Sequence, residues 1–184
     1  MMVKPMDKKK VREQLRNRVP EREYLLSASR QIEERLLSSP LFQSAHRIFC
    51  YLSTASEVVT DEIIAACLKE KELYVPKCLE KGKMIAVRVT EESQFELNHF
   101  GIREPMITEE TSSDFDLIIV PCLAAGRNGE RLGHGGGYYD RFLASSTGKT
   151  VCLCFKRNIL DEIPLDEHDV MMNLIITEEA VYRR

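Results

Sequence analysis

Long apolar runs, paired cysteines and a large net charge are all missing from this sequence of 184 residues. No stretch approaches the roughly 18 consecutive apolar residues of a membrane-spanning helix, so we expect neither a membrane anchor nor a signal peptide. The six cysteines include no CxxC pair and mostly lie in apolar segments, which is typical of reduced thiols in the cytoplasm. A net charge of −3 gives no overall attraction to nucleic acid or to an anionic membrane.

The charge is nevertheless unevenly distributed along the chain. Residues 1–30 carry nine basic and four acidic side chains, whereas residues 31–184 carry 17 basic and 25 acidic ones. A basic amino-terminal segment of this kind could belong to a nucleic-acid-binding module. It lacks the interleaved aromatic side chains and the motif of such modules, so we keep this function only as an alternative.

Apolar periodicity predicts strands and helices in alternation. The spacing of Val11, Leu15 and Val19 indicates a surface helix, a second helix is expected with Pro20 in its first turn, and Thr60 is expected to cap a later one. Strands are predicted at residues 46–52, 73–76, 83–89, 115–121, 150–155 and 174–177, with an irregular, loop-rich segment at 90–113. This pattern predicts one α/β domain over residues 1–184, with three α/β/α layers around a largely parallel or mixed sheet.

Glycine is scarce except in one segment. Six of the nine glycines lie within residues 126–137, after an apolar strand and before a predicted helix. The backbone N–H groups of such a loop can surround a phosphate, although simple turn formation is the alternative explanation. The loop is neither a P-loop nor a dinucleotide-binding loop, because the glycines that those motifs need would fall on Leu143 and Tyr138.

Three charged residues are candidates for binding phosphate or metal beside this loop. Asp140 follows it directly, and a carboxylate beside a phosphate needs a cation such as Mg²⁺ between them; alternatively, Asp140 interacts with the helix dipole. Lys8 and Arg12 share one face of the first helix at a spacing of four residues. They are interpreted either as phosphate ligands or as solvated surface charges.

The segment from Gly129 to Asp140 reads GERLGHGGGYYD and resembles the signature of the 5-formyltetrahydrofolate cyclo-ligase (5,10-methenyltetrahydrofolate synthetase) family. The likeness extends over most of the chain through weaker motifs, namely Lys8-x-x-x-Arg12, Tyr51-Leu-Ser with Glu57-x-x-Thr60, Val75-Pro-Lys, and Pro164-Leu-Asp-Glu-His-Asp169. The resemblance implies an ATP- and Mg²⁺-dependent cyclisation of 5-formyltetrahydrofolate to 5,10-methenyltetrahydrofolate, with release of ADP and phosphate. The residues alone leave open a kinase or ligase for a different small substrate.

The resemblance also implies a role for individual residues. ATP would be held by Lys8, Arg12, Arg131, Leu132, Gly133, His134, Gly135, Gly136, Gly137, Tyr138 and Tyr139. The folate would contact Leu52, Glu57 and the shared loop residues His134, Gly135, Gly136, Gly137 and Tyr138. Mg²⁺ would be bound by Asp140 and Asp169, and Arg131 and Asp140 would act in catalysis. The implied enzyme is a cytoplasmic monomer that binds a reduced folate and ATP, and neither nucleic acid nor a membrane.

The sequence departs from the family pattern at several positions. Pro121 is followed by Cys122 where the family usually has glycine, and the Phe-Asp pair that commonly follows is absent. Gly136 stands where some members have lysine, so positive charge would have to come from Arg131 or the amino-terminal bases. Asn158 replaces a common glutamine, and Asn173 replaces an acid.

Overall fold

A computed structural model describes residues 7–184 of the chain. Helices α1 to α5 span Lys8–Arg16, Arg22–Leu37, Pro40–Ser44, Asp61–Glu70 and Tyr138–Ala144. Strands β1 to β13 span Arg47–Cys50, Glu72–Cys78, Met84–Val89, Phe95–Leu97, Arg103–Pro105, Thr111–Ser112, Asp114–Val120, Ala124–Gly126, Arg131–Leu132, Thr147–Leu153, Ile159–Leu160, Leu174–Ile176 and Val181–Arg183. Two 3₁₀ turns lie at Glu80–Gly82 and Lys156–Asn158.

The centre of the fold is an eight-stranded mixed sheet with the order β13-β12-β10-β7-β1-β2-β3-β6. Strands β12, β10, β7, β1 and β2 run parallel, whereas β13, β3 and β6 pair in antiparallel fashion at the two edges. The central position of β7 explains its uninterrupted Leu-Ile-Ile-Val sequence, because a parallel strand covered on both faces has no solvent-facing side. The prediction of an α/β fold with a mixed sheet is confirmed.

Helices cover both faces of this sheet. Ile32 and Leu36 of α2, together with Ile63 of α4, pack in one apolar cluster with alternate strand residues. On the other face, Phe142 and Leu143 of α5 belong to a second cluster, in which the Phe142 ring lies 4.6 Å from that of Phe49. Burying each such side chain contributes roughly 1.5–3 kcal/mol, so these two clusters hold the helices on the sheet.

Helix α1 packs away from the central sheet. Its buried residues Val11 and Leu15 form a third cluster with Leu123, Ala124 and Leu132, which belong to or adjoin the small sheet β11-β8-β9. Because the glycine-rich segment continues directly from β9, this contact brings the basic amino-terminal helix beside it. Two apolar side chains at four-residue spacing therefore determine where Lys8 and Arg12 lie.

Several local predictions for the helices are wrong. Val19 lies beyond the end of α1 and is 64% exposed. Pro20 lies outside α2, before Glu21, which occupies the N-cap position of that helix without a side-chain capping bond. Thr60 is the first non-helical residue before α4, but its side chain does not cap that helix and instead donates to the carbonyl of Tyr51. The cap is supplied by Glu33 of α2, which accepts bonds from the first-turn N–H groups of α4.

Other differences concern the connecting segments. The segment at 90–113, predicted to be irregular, contains the short strands β4, β5 and β6, and β4 and β5 form a separate hairpin. Gly126 and Gly129 belong to the β8–β9 hairpin rather than to a phosphate loop. Gly129 has a φ of +98°, and a Cβ there would lie 2.4 Å from the carbonyl oxygen of Met172, which explains why glycine is needed. Within residues 7–184, no helix combines the length and apolar character needed to cross a bilayer.

Candidate active site

A cavity of about 1360 Å³ opens at the carboxyl ends of the parallel strands β1 and β7. It is bounded by α1, the loop after β1, the glycine-rich loop, the β4–β5 hairpin and the segment before β12. The lining of the cavity includes every residue for which the family resemblance implies a contact with ATP, folate or metal. Loops at the carboxyl ends of neighbouring parallel strands converge in this way because the strands point to the same edge of the sheet.

The glycine loop is residues 133–137, which join β9 to α5. Gly135 and Gly137 have φ values of +104° and +68°, in the left-handed region that side chains other than glycine rarely adopt. A Cβ at Gly133 would lie 3.0 Å from a guanidinium nitrogen of Arg131. Glycine at these three positions therefore serves the backbone path of the loop and the close approach of Arg131.

Arg131 is held in place at the base of the cavity. Its side chain is 3% exposed; Nη1 donates to the carbonyl of Pro121 at 3.2 Å, and Nη2 donates to Oδ1 of Asp140 at 3.1 Å. Its guanidinium lies 5.5 Å above the ring of Tyr139. The buried Nε has no hydrogen-bond partner within residues 7–184, so one donor of Arg131 is left unsatisfied.

The amino-terminal bases reach the cavity from α1. Lys8 contacts the carboxylates of Asp166, at 2.6 Å, and of Asp169, and Arg12 Nε donates to the carbonyl of Gly133 at 2.9 Å. Burial lowers the pKa of Lys8, but its bonds and attraction to Asp166 and Asp169 outweigh that effect and raise the pKa above 10.5. Lys8 is thus a fixed positive charge at neutral pH.

The two acids predicted to bind metal have different partners. Oδ1 of Asp140 faces Arg131, whereas Oδ2 of Asp169 accepts bonds from Lys8 and from the backbone N–H of Asp166. Residues 7–184 contain no group of three or more His, Cys, Asp or Glu side chains arranged to hold a metal ion. One or two carboxylates still suit Mg²⁺, which typically completes its coordination with substrate phosphates and water.

The loop after β1 places another carboxylate, that of Glu57, in the cavity. Glu57 is 8% exposed; its Oε2 accepts a bond from the N–H of Thr54 at 2.8 Å, and its Oε1 lies 3.6 Å from Nε2 of His134. Leu52, from the same loop, is 5% exposed. The Glu57–His134 contact connects this loop with the glycine loop, so the two halves of the predicted site meet directly.

Sequence reasoning missed one wall of the cavity. The β4–β5 hairpin contributes Phe100, Ile102 and Glu104, and the Phe100 ring lies 6.5 Å from that of Tyr138 in an edge-on arrangement. Glu104 is buried and accepts bonds from the N–H of Cys78 and from the side chain of Asn98, both at 2.8 Å. The sequence indicates only an irregular, loop-rich segment at 90–113, and no local pattern indicates where that segment packs.

Two arginines near the loop were also missed. Nη2 of Arg16 donates to the carbonyl of His134 at 2.7 Å. Nη1 of Arg141 donates to the carbonyls of Gly82 at 3.1 Å and Gly136 at 3.2 Å. Their positions offered a signal: Arg16 follows Lys8 and Arg12 at the same four-residue spacing, and Arg141 directly follows Asp140.

The departures from the family signature have structural explanations only in part. Asn173 accepts bonds at Oδ1 from the N–H and the hydroxyl of Thr150, so it links β12 to β10. Cys122 is partly buried, and Pro121 just before it supplies the carbonyl that binds Arg131. Nothing in the structure explains asparagine at position 158, whose Oδ1 is buried without a partner in residues 7–184.

Comparisons with known proteins agree on one family. The model of the 5-formyltetrahydrofolate cyclo-ligase family matches residues 4–178. The 5-formyltetrahydrofolate cyclo-ligase of Mus musculus is 30% identical, with 90% of this chain and 93% of the mouse protein covered. A probable 5-formyltetrahydrofolate cyclo-ligase of Caenorhabditis elegans is 33% identical, with 79% of each chain covered.

Solved structures are similar as well. The NMR structure of Aquifex aeolicus 5,10-methenyltetrahydrofolate synthetase superimposes with a TM-score of 0.86 at 31% identity, covering 97% of this chain and 93% of the other. A 5,10-methenyltetrahydrofolate synthetase from Mycoplasma pneumoniae shares the fold with a TM-score of 0.73 at 22% identity, covering 94% and 99%. This chain therefore shares its fold with these synthetases over nearly its whole length.

Proposed function

The chain belongs to the 5-formyltetrahydrofolate cyclo-ligase family, and we propose that its cavity binds ATP and 5-formyltetrahydrofolate side by side so that they react with each other. The enzyme converts 5-formyltetrahydrofolate to 5,10-methenyltetrahydrofolate with ATP. The observation that carries the assignment to this cavity is the meeting of the glycine loop with the loop of Leu52 and Glu57 at the Glu57–His134 contact. Two substrates bound on the two loops would lie in direct contact.

The reaction requires the formyl oxygen to become a leaving group. The formyl oxygen attacks the γ-phosphorus of ATP and ADP departs. N10 then attacks the activated formyl carbon and loses its proton to solvent, and the former formyl oxygen leaves as part of inorganic phosphate. Phosphoryl transfer of this kind depends mainly on positioning and on stabilising negative charge. We assign those tasks to Lys8, Arg12 and the backbone of residues 133–137 on the phosphate side.

Arg131 and Asp140 have a linked role in this proposal. Arg131 is buried and fixed by Pro121 and Asp140, so its positive charge is compensated in the free protein rather than available to a phosphate. Among the described residues, Arg12 of the amino-terminal helix has no carboxylate partner and donates to the carbonyl of Gly133, so its positive charge remains available on the phosphate side. Asp140 retains a second carboxylate oxygen, Oδ2, which forms no hydrogen bond to residues 7–184.

We propose that Mg²⁺ is bound by Asp140 and Asp169 together with the phosphates of ATP. Carboxylate oxygen is the ligand type that Mg²⁺ prefers, and each of these acids has one oxygen engaged by a cationic side chain. Mg²⁺ would supply neutralisation of phosphate charge during transfer. Lys8 neutralises part of the charge of Asp169. When Mg²⁺ binds, Lys8 would have to share the Asp169 carboxylate with the metal or turn toward a phosphate.

We also propose that the enzyme works as a cytoplasmic monomer without a nucleic-acid partner. One chain supplies every wall of the cavity, so no partner subunit is needed to complete it. The cysteines are all unpaired thiols, which supports a reducing compartment. The basic side chains of Lys8, Arg12 and Arg16 contact cavity residues, which argues against α1 being a nucleic-acid-binding surface.

The test of this function follows the formyl oxygen. The purified enzyme is incubated with 5-formyltetrahydrofolate carrying ¹⁸O in the formyl group, and methenyl product is followed by absorbance with and without ATP. We expect product only with ATP, and we expect the label in inorganic phosphate. Product without ATP, or unlabelled phosphate formed together with product, would refute the proposed reaction.

A further inference from the structure

Three carbonyl groups of the glycine loop accept hydrogen bonds from three different arginines. Arg12 binds the carbonyl of Gly133, Arg16 that of His134, and Arg141 that of Gly136, at distances between 2.7 and 3.2 Å. Arg12 and Arg16 lie on α1, whereas Arg141 lies on α5. The loop is therefore held by guanidinium groups from two separate elements.

These bonds have a consequence for the N–H groups of the loop. In a trans peptide, the C=O of one residue and the N–H of the next point in opposite directions, and the described chain contains no cis peptide. When the carbonyl of His134 points to Arg16, the N–H of Gly135 points away from it. In the same way, the bond from Arg141 to Gly136 fixes the direction of the N–H of Gly137.

Arg141 also ties the loop to a second wall of the cavity. The nitrogen that binds the Gly136 carbonyl also binds that of Gly82, in the 3₁₀ turn between β2 and β3. Gly82 has a φ of +74°, and a Cβ there would lie 2.6 Å from that nitrogen. A side chain at residue 82 would therefore displace the end of the Arg141 side chain from this position.

From these contacts we propose that Arg16 and Arg141 are positioning residues that turn the N–H groups of Gly135 and Gly137 toward the ATP phosphates. Neither arginine belongs to the signature from Gly129 to Asp140, and neither has a carboxylate within 4.0 Å among the described residues. Among the described residues, both arginines donate to backbone carbonyl oxygens, as expected for side chains that orient a backbone. The inference rests on the proposed function, because it takes the phosphates of ATP as the ligand of the loop.

The first experiment measures ATP and folate affinity separately by calorimetry. Arg16→Met and Arg141→Met remove a charge-assisted hydrogen bond while keeping an extended side chain, and Arg88→Met removes an exposed arginine paired with Glu110 as a matched control. Each positioning variant should bind ATP roughly ten- to hundredfold more weakly, with folate affinity within about twofold of the wild type. The control should match the wild type for both ligands.

The second experiment measures the loop itself through ¹⁵N relaxation of its backbone amides. Arg16→Met should increase the mobility of the Gly135 amide, and Arg141→Met that of the Gly137 amide, with order parameters falling from about 0.85 to below about 0.6. Gly82→Ala places a methyl group against the same guanidinium and should reproduce the effect on Gly137. This variant also tests the contact should Arg141→Met fail to fold.

The outcomes separate the alternatives. Weaker ATP binding with unchanged amide mobility would make the arginines direct phosphate ligands and overturn the positioning role. If the wild type binds ATP and the two variants bind it equally well, the positioning role is overturned as well. If the wild type itself did not bind ATP, the proposed function would fail, and the amide measurements would then show whether the arginines orient the loop at all.

Discussion

Replacing Glu33 by glutamine should change how the stability of the protein depends on pH. Glu33 lies on α2, is 4% exposed, and accepts bonds at Oε1 from the N–H groups of Glu62, at 3.0 Å, and Ile63, at 3.3 Å. Burial raises its pKa from 4.5 to about 7, and the two N–H bonds offset only part of that effect. Glutamine keeps an oxygen that can accept these bonds but cannot ionise.

The free energy of unfolding of the wild type should fall as Glu33 ionises. A carboxyl group with a higher pKa in the folded chain than in the unfolded chain binds its proton more tightly when folded. Its contribution to stability is present below pH 4.5 and is lost as the pH rises through about 7. The shift from 4.5 to about 7 corresponds to about 3 kcal/mol across that interval.

The measurement is urea unfolding of the full chain between pH 4.5 and 8. Far-ultraviolet circular dichroism is the suitable probe, because the sequence contains no tryptophan. The free energy of unfolding of Glu33→Gln minus that of the wild type should rise by about 3 kcal/mol from the acidic to the basic end. Glu34→Gln, at the exposed neighbouring position on α2, should leave this difference flat.

A flat or falling difference for Glu33→Gln would refute the reasoning. A flat difference would mean that the first-turn N–H groups of α4 stabilise the carboxylate by as much as burial destabilises it, so that Glu33 keeps an ordinary pKa. A falling difference would mean that they stabilise it by more, so that α4 gains stability from ionisation of its cap.

The remaining predictions concern the reaction and its two substrates. Glu57→Ala should raise the Kd for 5-formyltetrahydrofolate roughly ten- to hundredfold and leave the Kd for ATP within about twofold, because the carboxylate lies in the loop after β1. Separate calorimetric titrations of the two ligands test this, and loss of ATP binding with folate binding retained would contradict it. Asp140→Asn should reduce kcat at least about a hundredfold if the carboxylate binds metal, and should also destabilise the fold by about 1–3 kcal/mol, because buried Arg131 loses its charged partner. Comparing turnover with urea unfolding separates the two effects, and full activity with unchanged Mg²⁺ dependence would leave Asp140 only its contact with Arg131. Chelating divalent metal should abolish methenyl formation and adding Mg²⁺ should restore it, so turnover in excess chelator would exclude the metal site.

The sequence by itself determined the elements with strong local signals. Val11 and Leu15 indicated α1, the apolar run of β7 indicated a buried parallel strand, and the order of strands and helices indicated the α/β class. The signature from Gly129 to Asp140 indicated the phosphate side of the site. These signals are readable because each depends on residues within a few positions of one another.

Tertiary structure decided which of those local signals became part of the site. Gly126 and Gly129 were counted with the glycine loop, but pairing of β8 with β9 makes them part of a hairpin, and only residues 133–137 form the loop. The cap of α4 comes from Glu33 rather than from Thr60, the adjacent residue that sequence rules favour. In both cases a partner distant in sequence outweighed the local preference.

The same reason explains the arginines that the sequence did not reveal. Arg16 reaches His134 across 118 positions, and Arg141 reaches Gly82 across 59. No periodicity in the sequence indicates such a bond, because it exists only when α1 packs on β8 and β9 and when the β2–β3 turn lies beside α5. Local residues specify the chemistry that the loop can perform, whereas the packing of distant elements specifies the direction in which its backbone points.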